Sequence, residues 1–524
     1  MSITTQKCSP LLSASILISV TSLASRILGL VRDRLLAGSF GAGDTLDMYY
    51  TSFRIPDLIF NLLILGALHS AFIPVFKDFL TRNQTSRAWR VANKLLNFVL
   101  VVMIILAIVT LIFAVPITQF IAPGFTPEKI QTTANLTRIM LLSPIFFSLS
   151  AISGGILNSF KRFFSFSLAP IMYNLGIIFG ILYLVPKLGI YGLAYGVIIG
   201  AALNFLVQVP ELLQTGFRYQ PILKFKDQDL YKIFALMIPT TLSLSITQIN
   251  LTVENIIGST LESGSIAVFN LANNIQSLPL GIFAVAICIT VFPNLVELLS
   301  AKKFSDFSHQ FNKSATQILY VIIPATIFLY IFRAQAVRIL LGTGAFGWQD
   351  TTLTLVTLGY FAFSLPFQSL NQLFARGFYA SQNTIKPLIS SSISMLSNIF
   401  LSLYLTKIMG VAGLALAFTL SSLINFIILN ILFYRHIPRF RYTSFATISK
   451  IIIFTLAAGL LAYFTLPYFE KVFDNTTFIG LFLQTASSSI IGIAAYLGLS
   501  YIFKLSELNS LLKIFKIPLP TIKK

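Results

Sequence analysis

Apolar blocks of roughly 20–25 residues recur along the whole chain, and each is long enough as a helix to cross a hydrocarbon core of about 30 Å. A water-soluble fold cannot hide so many. Only 10% of the 524 residues are charged while 56% are hydrophobic, a balance that places the chain in a bilayer. The blocks lack the period-two alternation of an outer-membrane barrel. The reading is therefore an all-α polytopic membrane protein. Charged and Gly/Pro-marked breaks divide it into fourteen spans, near 10–31, 46–76, 92–118, 131–157, 164–186, 190–213, 231–260, 266–297, 314–342, 351–379, 385–407, 411–434, 447–468 and 478–503. The first run carries Arg26 and leads straight into a second span, which reads as a retained helix and not a cleaved signal.

The net charge of +20 would suggest nucleic acid in a soluble protein; in a membrane protein it is first a topology signal. Lys and Arg divide 26 to 8 between the two sides when both termini are cytoplasmic. No nucleic-acid partner is needed to explain the charge. The two cysteines, Cys8 and Cys288, form no CxxC or Cys/His cluster and point to neither a disulfide framework nor a zinc site.

Tyr183–Phe205 aligns without gaps on Tyr404–Phe426 with 8 identities in 23, at an offset of 221. Ala71-Phe72-Ile73-Pro74 pairs with Thr290-Val291-Phe292-Pro293 at an offset of 219. An internal duplication explains the near-equal offsets better than shared Gly/Ala/Leu composition does. Six spans per copy keep both copies in one orientation, a parallel repeat of two six-helix lobes with two extra C-terminal helices. The expected organisation is 1–220 (spans 1–6), 221–442 (spans 7–12) and 443–524 (spans 13–14 and a basic tail). This is the layout of an alternating-access carrier.

An ionisable side chain inside a span costs about 2.5–3.5 kcal/mol or more unless it reaches the interface, so each one is a candidate for function. Arg26, Arg54, Asp57, Arg138 and Glu254 qualify. Arg26 shares a broad helical face with Arg32 and Asp33, six and seven residues on. Arg54 and Asp57 read equally as a structural i,i+3 pair or as ligand groups, and Pro56 between them should kink the helix. Glu254 lies among Gln248, Asn250, Thr252 and Asn255 with no basic residue in its own segment, a setting for a proton or Na⁺. Arg138 is near enough to a helix end to snorkel, and His69 reads as a polar helix contact.

Several ordered motifs resemble the MurJ (MviN) family of lipid II flippases, in the multidrug/oligosaccharidyl-lipid/polysaccharide exporter superfamily. They are Ser25-Arg26-Ile27-Leu28-Gly29-Leu30-Val31-Arg32-Asp33, Phe40-Gly41-Ala42-Gly43 with Asp47, Phe53-Arg54-Ile55-Pro56 and Ala71-Phe72-Ile73-Pro74-Val75-Phe76. Later matches are Ala122-Pro123-Gly124-Phe125, Ser277-Leu278-Pro279-Leu280-Gly281-Ile282-Phe283 and Ala375-Arg376-Gly377-Phe378-Tyr379-Ala380. The resemblance implies fourteen helices and one substrate, lipid II, an undecaprenyl-diphosphate-linked peptidoglycan precursor carried from the inner to the outer leaflet for cell-wall synthesis. It implies a bacterial cytoplasmic (inner) membrane location and diphosphate-holding arginines, matched here by Arg26 and Arg32, with an acidic position at Asp47. Two family arginines are absent, because Phe60 and Asn274 stand at their positions, and Leu65 replaces a glutamate.

A diphosphate favours charge-assisted donors. Arg54 is the expected substitute, with Asn61, Asn273, Asn274 and Gln276 as neutral donors. The resemblance also implies cation coupling, with Glu254 at the family's acid on span 7 and Asn398, Ser402 and Thr419 supplying further oxygens for Na⁺ or, alternatively, a proton route. Ser402 stands where an acid is often found, so proton coupling and use of the membrane potential alone are the alternatives to Na⁺.

The expected function is therefore a monomeric, non-enzymatic lipid II flippase. The alternatives are a flippase for another polyprenyl-diphosphate oligosaccharide or a cation-coupled drug exporter of the same superfamily. An arginine-bearing first lobe argues against a cationic drug. A membrane glycosyltransferase would need a large outer loop carrying a carboxylate, and the outer loops here are short.

Overall fold

The computed structural model describes residues 10–65, 71–223, 227–438, 440 and 445–508. The basic C-terminal tail and His69 lie outside them. Among the described residues every regular element is helical. The first half comprises α1 (Pro10–Phe40), α2 (Asp44–Ser52), α3 (Arg54–Phe60), α4 (Ile73–Thr81), α5 (Thr85–Ile112), α6 (Ala114–Ile121), α7 (Pro127–Met140), α8 (Leu142–Ser159), α9 (Phe164–Phe179), α10 (Val185–Leu188), α11 (Tyr191–Leu206) and α12 (Val209–Gln214). The second comprises α13 (Gln228–Ser259), α14 (Ser265–Pro279), α15 (Val285–Ser300), α16 (Phe304–Ile331), α17 (Arg333–Leu340), α18 (Trp348–Ala362), α19 (Leu365–Ala380), α20 (Ile385–Met409) and α21 (Val411–His436). Two final helices follow, α22 (Phe445–Glu470) and α23 (Phe478–Ile502). Among the described residues, the π-helical segments Asn61–Leu65, Gly180–Leu184 and Leu280–Ala284 follow α3, α9 and α14.

Among the described residues, length and hydropathy single out ten spans, or eleven when the pair α18 and α19, bent by 43°, counts as one. Two further helices, α1 of 31 residues and α13 of 32, are also long enough to cross a bilayer. The total of fourteen remains the sequence expectation.

The duplication is visible in the element boundaries. The pair α5–α6 begins at Thr85 and ends at Ile121, and α16–α17 begins at Phe304 and ends at Leu340, 219 residues later at both ends. The pairs α7–α8 and α18–α19 are offset by 221 at both ends, as are α9–α10 and α20. Turn geometry repeats too. Gly189 and Gly410 have φ of +58° and +56°, and the non-glycine pair Asn83 and Lys302 has +57° and +56°.

Proline sets most of the breaks within spans. Pro56, Pro116 and Pro144 are each third in the helix that follows a break, and Pro210 and Pro366 are second. The first turn is where a missing N–H costs least. The expected kink at Pro56 is therefore realised upstream, at Phe53 between α2 and α3. Proline at 56 leaves the Ser52 carbonyl without its usual donor, and the Thr137 hydroxyl donates to it at 3.4 Å.

The chain forms two compact units, Met1–Ala267 with Thr343–Phe346, and Val268–Gly342 with Gly347–Lys524. The duplication assigns α13 to the second copy, whereas packing assigns it to the first unit, where it lies against α3, the Asn61–Leu65 segment, α5 and α6. The linker before α13 explains this. Asn93 and Asn97 of α5 hydrogen-bond the backbone of Arg218, Gln220 and Ile222, Lys94 pairs with Asp227, and Arg87 pairs with Asp229 at 2.8 Å. The first unit's core is built around Phe72, Phe76 and Trp89, with Trp89 stacked on Phe160. The second unit's core gathers Phe311, Phe374, Phe378 and Phe433. Ile105, Ile108 and Ile112 of α5 are about half exposed, as lipid-facing residues must be.

Candidate functional site

Arg32 of α1 turns onto its own neighbour, with Nη2 and Nε at 2.8 and 3.0 Å from Asp33 Oδ1. Its Nη1 reaches Asn174 Oδ1 of α9 at 3.2 Å, and the Asn174 amide donates back to Ser25 and to the Pro170 carbonyl. One asparagine thus joins the two halves of the Ser25–Asp33 motif. Asp33 is buried, and Arg32 pairs with its carboxylate.

Arg26 points elsewhere. It lines a cavity of about 530 Å³ within the first unit, together with Thr21, Ser22 and Ser25 of α1. Ser150, Asn204 and Gln208 supply the polar part of the opposite wall, and Phe60, Phe147 and Phe166 supply the aromatic part. Phe60, standing where the resemblance expects an arginine, packs on Phe147 at 5.6 Å and makes that wall apolar.

Arg54 of α3 is met by a helix far away in sequence. Its Nε donates to Asn255 Oδ1 at 3.4 Å, and the Thr51 hydroxyl donates to the same oxygen at 3.2 Å. Glu254 is buried, accepts a hydrogen bond from Asn250 at 2.8 Å, and immediately precedes the Asn255 that meets Arg54. Asp57 is exposed, and Asn61 opens the π-helical segment after α3.

Asp47 is committed to the backbone. Its two carboxylate oxygens accept the N–H groups of Gly264 and Ala267 at 2.7 and 2.8 Å, anchoring the turn that starts α14. Gly264 has φ +88°, and a Cβ there would lie 1.8 Å from the Ala42 carbonyl oxygen. Around this clamp the Ala345 N–H donates to the Gly38 carbonyl at 2.8 Å, and Gly124 sits so close to Ser259 that a Cβ would fall 2.1 Å from its carbonyl oxygen. Asp44 beside it pairs with Lys129 and Ser263; their hydrogen bonds outweigh the opposing effect of partial burial and hold its carboxyl below the usual range. These contacts close the end of the first unit where α1 finishes and α2 begins. Arg138 also has a structural partner set, bonding the Leu111 carbonyl near the end of α5 and Asn135.

The remaining expected residues belong to the second unit. Asn273 accepts from Gln276, Gln276 accepts from Gln368, and Gln368 also donates to Ser364, a neutral chain joining α14 to α19. The Asn274 carbonyl accepts from Ser277. On α20 the buried Ser402 hydroxyl donates to buried Asn398 at 3.3 Å, while Thr419 of α21 donates to the Tyr360 carbonyl at 2.8 Å. Glu254 is in the first unit and these three oxygen donors are in the second.

The structure adds Asn174, Ser150, Asn204 and Gln208 to the residues read from sequence, and it gives Asn255, already noted beside Glu254, the role of partner to Arg54. An amide or hydroxyl in an apolar span is a weaker cue than charge but one of the same kind.

The sequence profile described as "Lipid II flippase MurJ" matches residues 36–507. A protein of Rhizobium tropici described as a probable lipid II flippase MurJ is 30% identical over 429 residues, 79% of each chain. A solved structure of lipid II flippase MurJ in an inward closed conformation superposes with a TM-score of 0.78 at 28% identity, covering 93% of this chain and 98% of that one. An inward-facing multidrug resistance MATE family transporter of the MOP superfamily gives 0.68 at 14% identity, covering 81% and 99%, which is a likeness of fold alone.

Proposed function

The chain belongs to the MurJ family of lipid II flippases, and from that membership we propose that it carries lipid II across the bacterial inner membrane, from the inner to the outer leaflet, by alternating access. The observation that carries this reading is the near-complete structural likeness to a lipid II flippase, joined to a first unit that keeps arginines within its spans. Lipid II brings a diphosphate into a low-dielectric region, where guanidinium donors are worth most. Arg26 on its cavity wall supplies one such donor, and Arg32, oriented by Asp33 and Asn174, supplies a second. Transport needs no covalent chemistry, so the protein acts as a carrier and not an enzyme, as a monomer and without nucleic acid. Both termini face the cytoplasm in this reading, which the 26 to 8 division of Lys and Arg supports.

Opening toward the outer leaflet requires Asp47 to release the Gly264 and Ala267 amides. Glu254 would sense the coupling cation, Na⁺ or H⁺, from its place next to the Asn255 that meets Arg54, because neutralising the acid removes a negative charge from the neighbourhood of that guanidinium. The test is complementation of a strain depleted of its own flippase. The parent chain should restore growth, and Arg32→Ala should insert normally yet fail. Growth of the Arg32→Ala strain at the parent rate would remove the diphosphate role.

A further inference from the structure

One face of α19 in the second unit is polar without being packed away. Gln368, Gln372 and Arg376 recur every four residues along it, and all three are half-buried. The lipid-facing side of a span looks different, as on α20, where Ile389, Ile393, Leu396 and Phe400 are exposed. A polar stripe on a span faces an aqueous cavity or a ligand, because hydrocarbon would leave its groups unmatched. The repeat points the same way. The matching positions on α8 are Phe147, Ala151 and Gly155, and the first two line the cavity of the first unit. The second copy has exchanged that apolar wall for two amides and a guanidinium.

Gln368 is tied down, donating to Gln276 of α14 and to Ser364, whereas Gln372 and Arg376 make no hydrogen bond among the described residues. Arg376 is four residues from the end of α19, yet it leans sideways onto α15, its guanidinium 5.7 Å from the centre of the Phe292 ring. The shared skeleton does not require this contact, since Gly155 and Ile73 stand at the matching positions of the first copy. No carboxylate satisfies the charge either. Neither α14 nor α19 contains an acidic residue, and Arg376 forms no ion pair among the described residues. Its five N–H donors are thus held on a polar wall with no protein acceptor.

We propose that Arg376 is a phosphate-holding residue of the second unit, its guanidinium taking a phosphate of the substrate's diphosphate while the Gln372 amide, one turn away, supplies a neutral contact. This rests on the polyprenyl-diphosphate reading of the preceding section and adds a residue to its binding set. The planar fork of a guanidinium matches phosphate oxygens two at a time, and the Phe292 ring restricts its swing. Arg376 therefore returns to the second unit a positive charge that the chain lacks at Asn274. Eight residues, about 12 Å of helix, separate it from Gln368 where α19 meets α14, so it serves the cytoplasmic end of the wall.

The experiment measures binding of undecaprenyl diphosphate, undecaprenol and phosphatidylglycerol to the purified full-length chain by native mass spectrometry, with Tm as the check on folding. The parent should bind the diphosphate more tightly than the alcohol. Arg376→Gln should weaken diphosphate binding roughly tenfold and leave the other two lipids unchanged. Arg376→Lys, which keeps the charge without the fork, should recover part of the loss. Unchanged diphosphate binding in Arg376→Gln overturns the inference. So does an equal loss of undecaprenol, which marks a packing role, or of phosphatidylglycerol, which marks a contact with bulk lipid phosphate. In each of these cases a parent that still prefers the diphosphate leaves the preceding reading standing, and a parent without that preference overturns both.

Discussion

The two copies of the repeat share a skeleton and differ in what holds it together. In the first copy α9 packs on α11 through glycines: a Cβ on Gly176 would fall 2.2 Å from the Gly200 Cα, and one on Gly180 would fall 2.6 Å from the Gly196 Cα. In the second copy Ser397, Ser421 and Ala417 stand at the positions of Gly176, Gly200 and Gly196. There α20 and α21 are joined by hydroxyls, with Ser394 donating to the Ser421 carbonyl at 2.8 Å and Ser390 to Asn425. Asn425 matches Asn204, so one asparagine serves a helix seam while its twin faces a cavity. The same divergence separates Pro116 from its counterpart Gln335. The break between the long and short helices falls at Phe113 in one copy and Phe332 in the other, and the second copy keeps it without the proline. Duplication fixed the lengths of the elements, and each copy then found its own local reasons to keep them.

Substitutions at matched positions should separate the two solutions. The largest effect is expected at Gly200→Ala, whose Cβ would meet the Tyr173 carbonyl oxygen at 2.5 Å. Overpacking against backbone should destabilise the first unit by about 3 kcal/mol or more, seen as a loss of folded yield and a lower Tm in detergent. Ser421→Ala at the matched site should cost less than about 1 kcal/mol, and equal losses at both sites would end the comparison. Next comes the clamp. Asp47→Ala leaves two backbone N–H groups without charged acceptors, a cost of about 1.5–3 kcal/mol. It should speed labelling of a Ser263→Cys reporter from outside the cell.

Smaller effects test the fields around the interior charges. Glu254→Gln should alter the Na⁺ or pH dependence of transport, and an unchanged response to both would remove it from coupling. The mildest prediction concerns the linker. A hydrogen bond from Lys94 holds the Asp227 carboxyl below its ordinary value of about 3.9. A lowered folded pKa contributes stability that is present above the ordinary value and lost as pH falls through the lowered one. Melting curves between about pH 3 and pH 6 should show this loss in the parent, and Asp227→Asn should be flatter over the same window.

Much of the architecture was legible because membrane helices advertise themselves by length and composition. The offsets of 219 and 221 found from two short alignments also relate helix ends throughout the molecule. The arginines in the spans stood out for the same reason, since charge in an apolar run is conspicuous. Their partners did not. Arg54 meets Asn255 across 201 residues and Arg32 meets Asn174 across 142, and no local pattern encodes such pairings. The grouping of α13 was hidden too, because the repeat places it at the start of the second copy while the linker contacts with Asn93, Lys94 and Asn97 tie it to the first unit. The partners of Asp47 were hidden in the same way, because the Gly264 and Ala267 amides lie 217 and 220 residues along the chain.

The most direct test of the flippase reading is a leaflet-resolved assay of lipid II accessibility in cells whose only flippase is this chain under repressible control. The account predicts that lipid II is reachable from outside while the chain is expressed, that it accumulates on the inner leaflet once the chain is depleted, and that the Arg32→Ala chain fails to restore outer exposure. Undiminished outer exposure after depletion would contradict it.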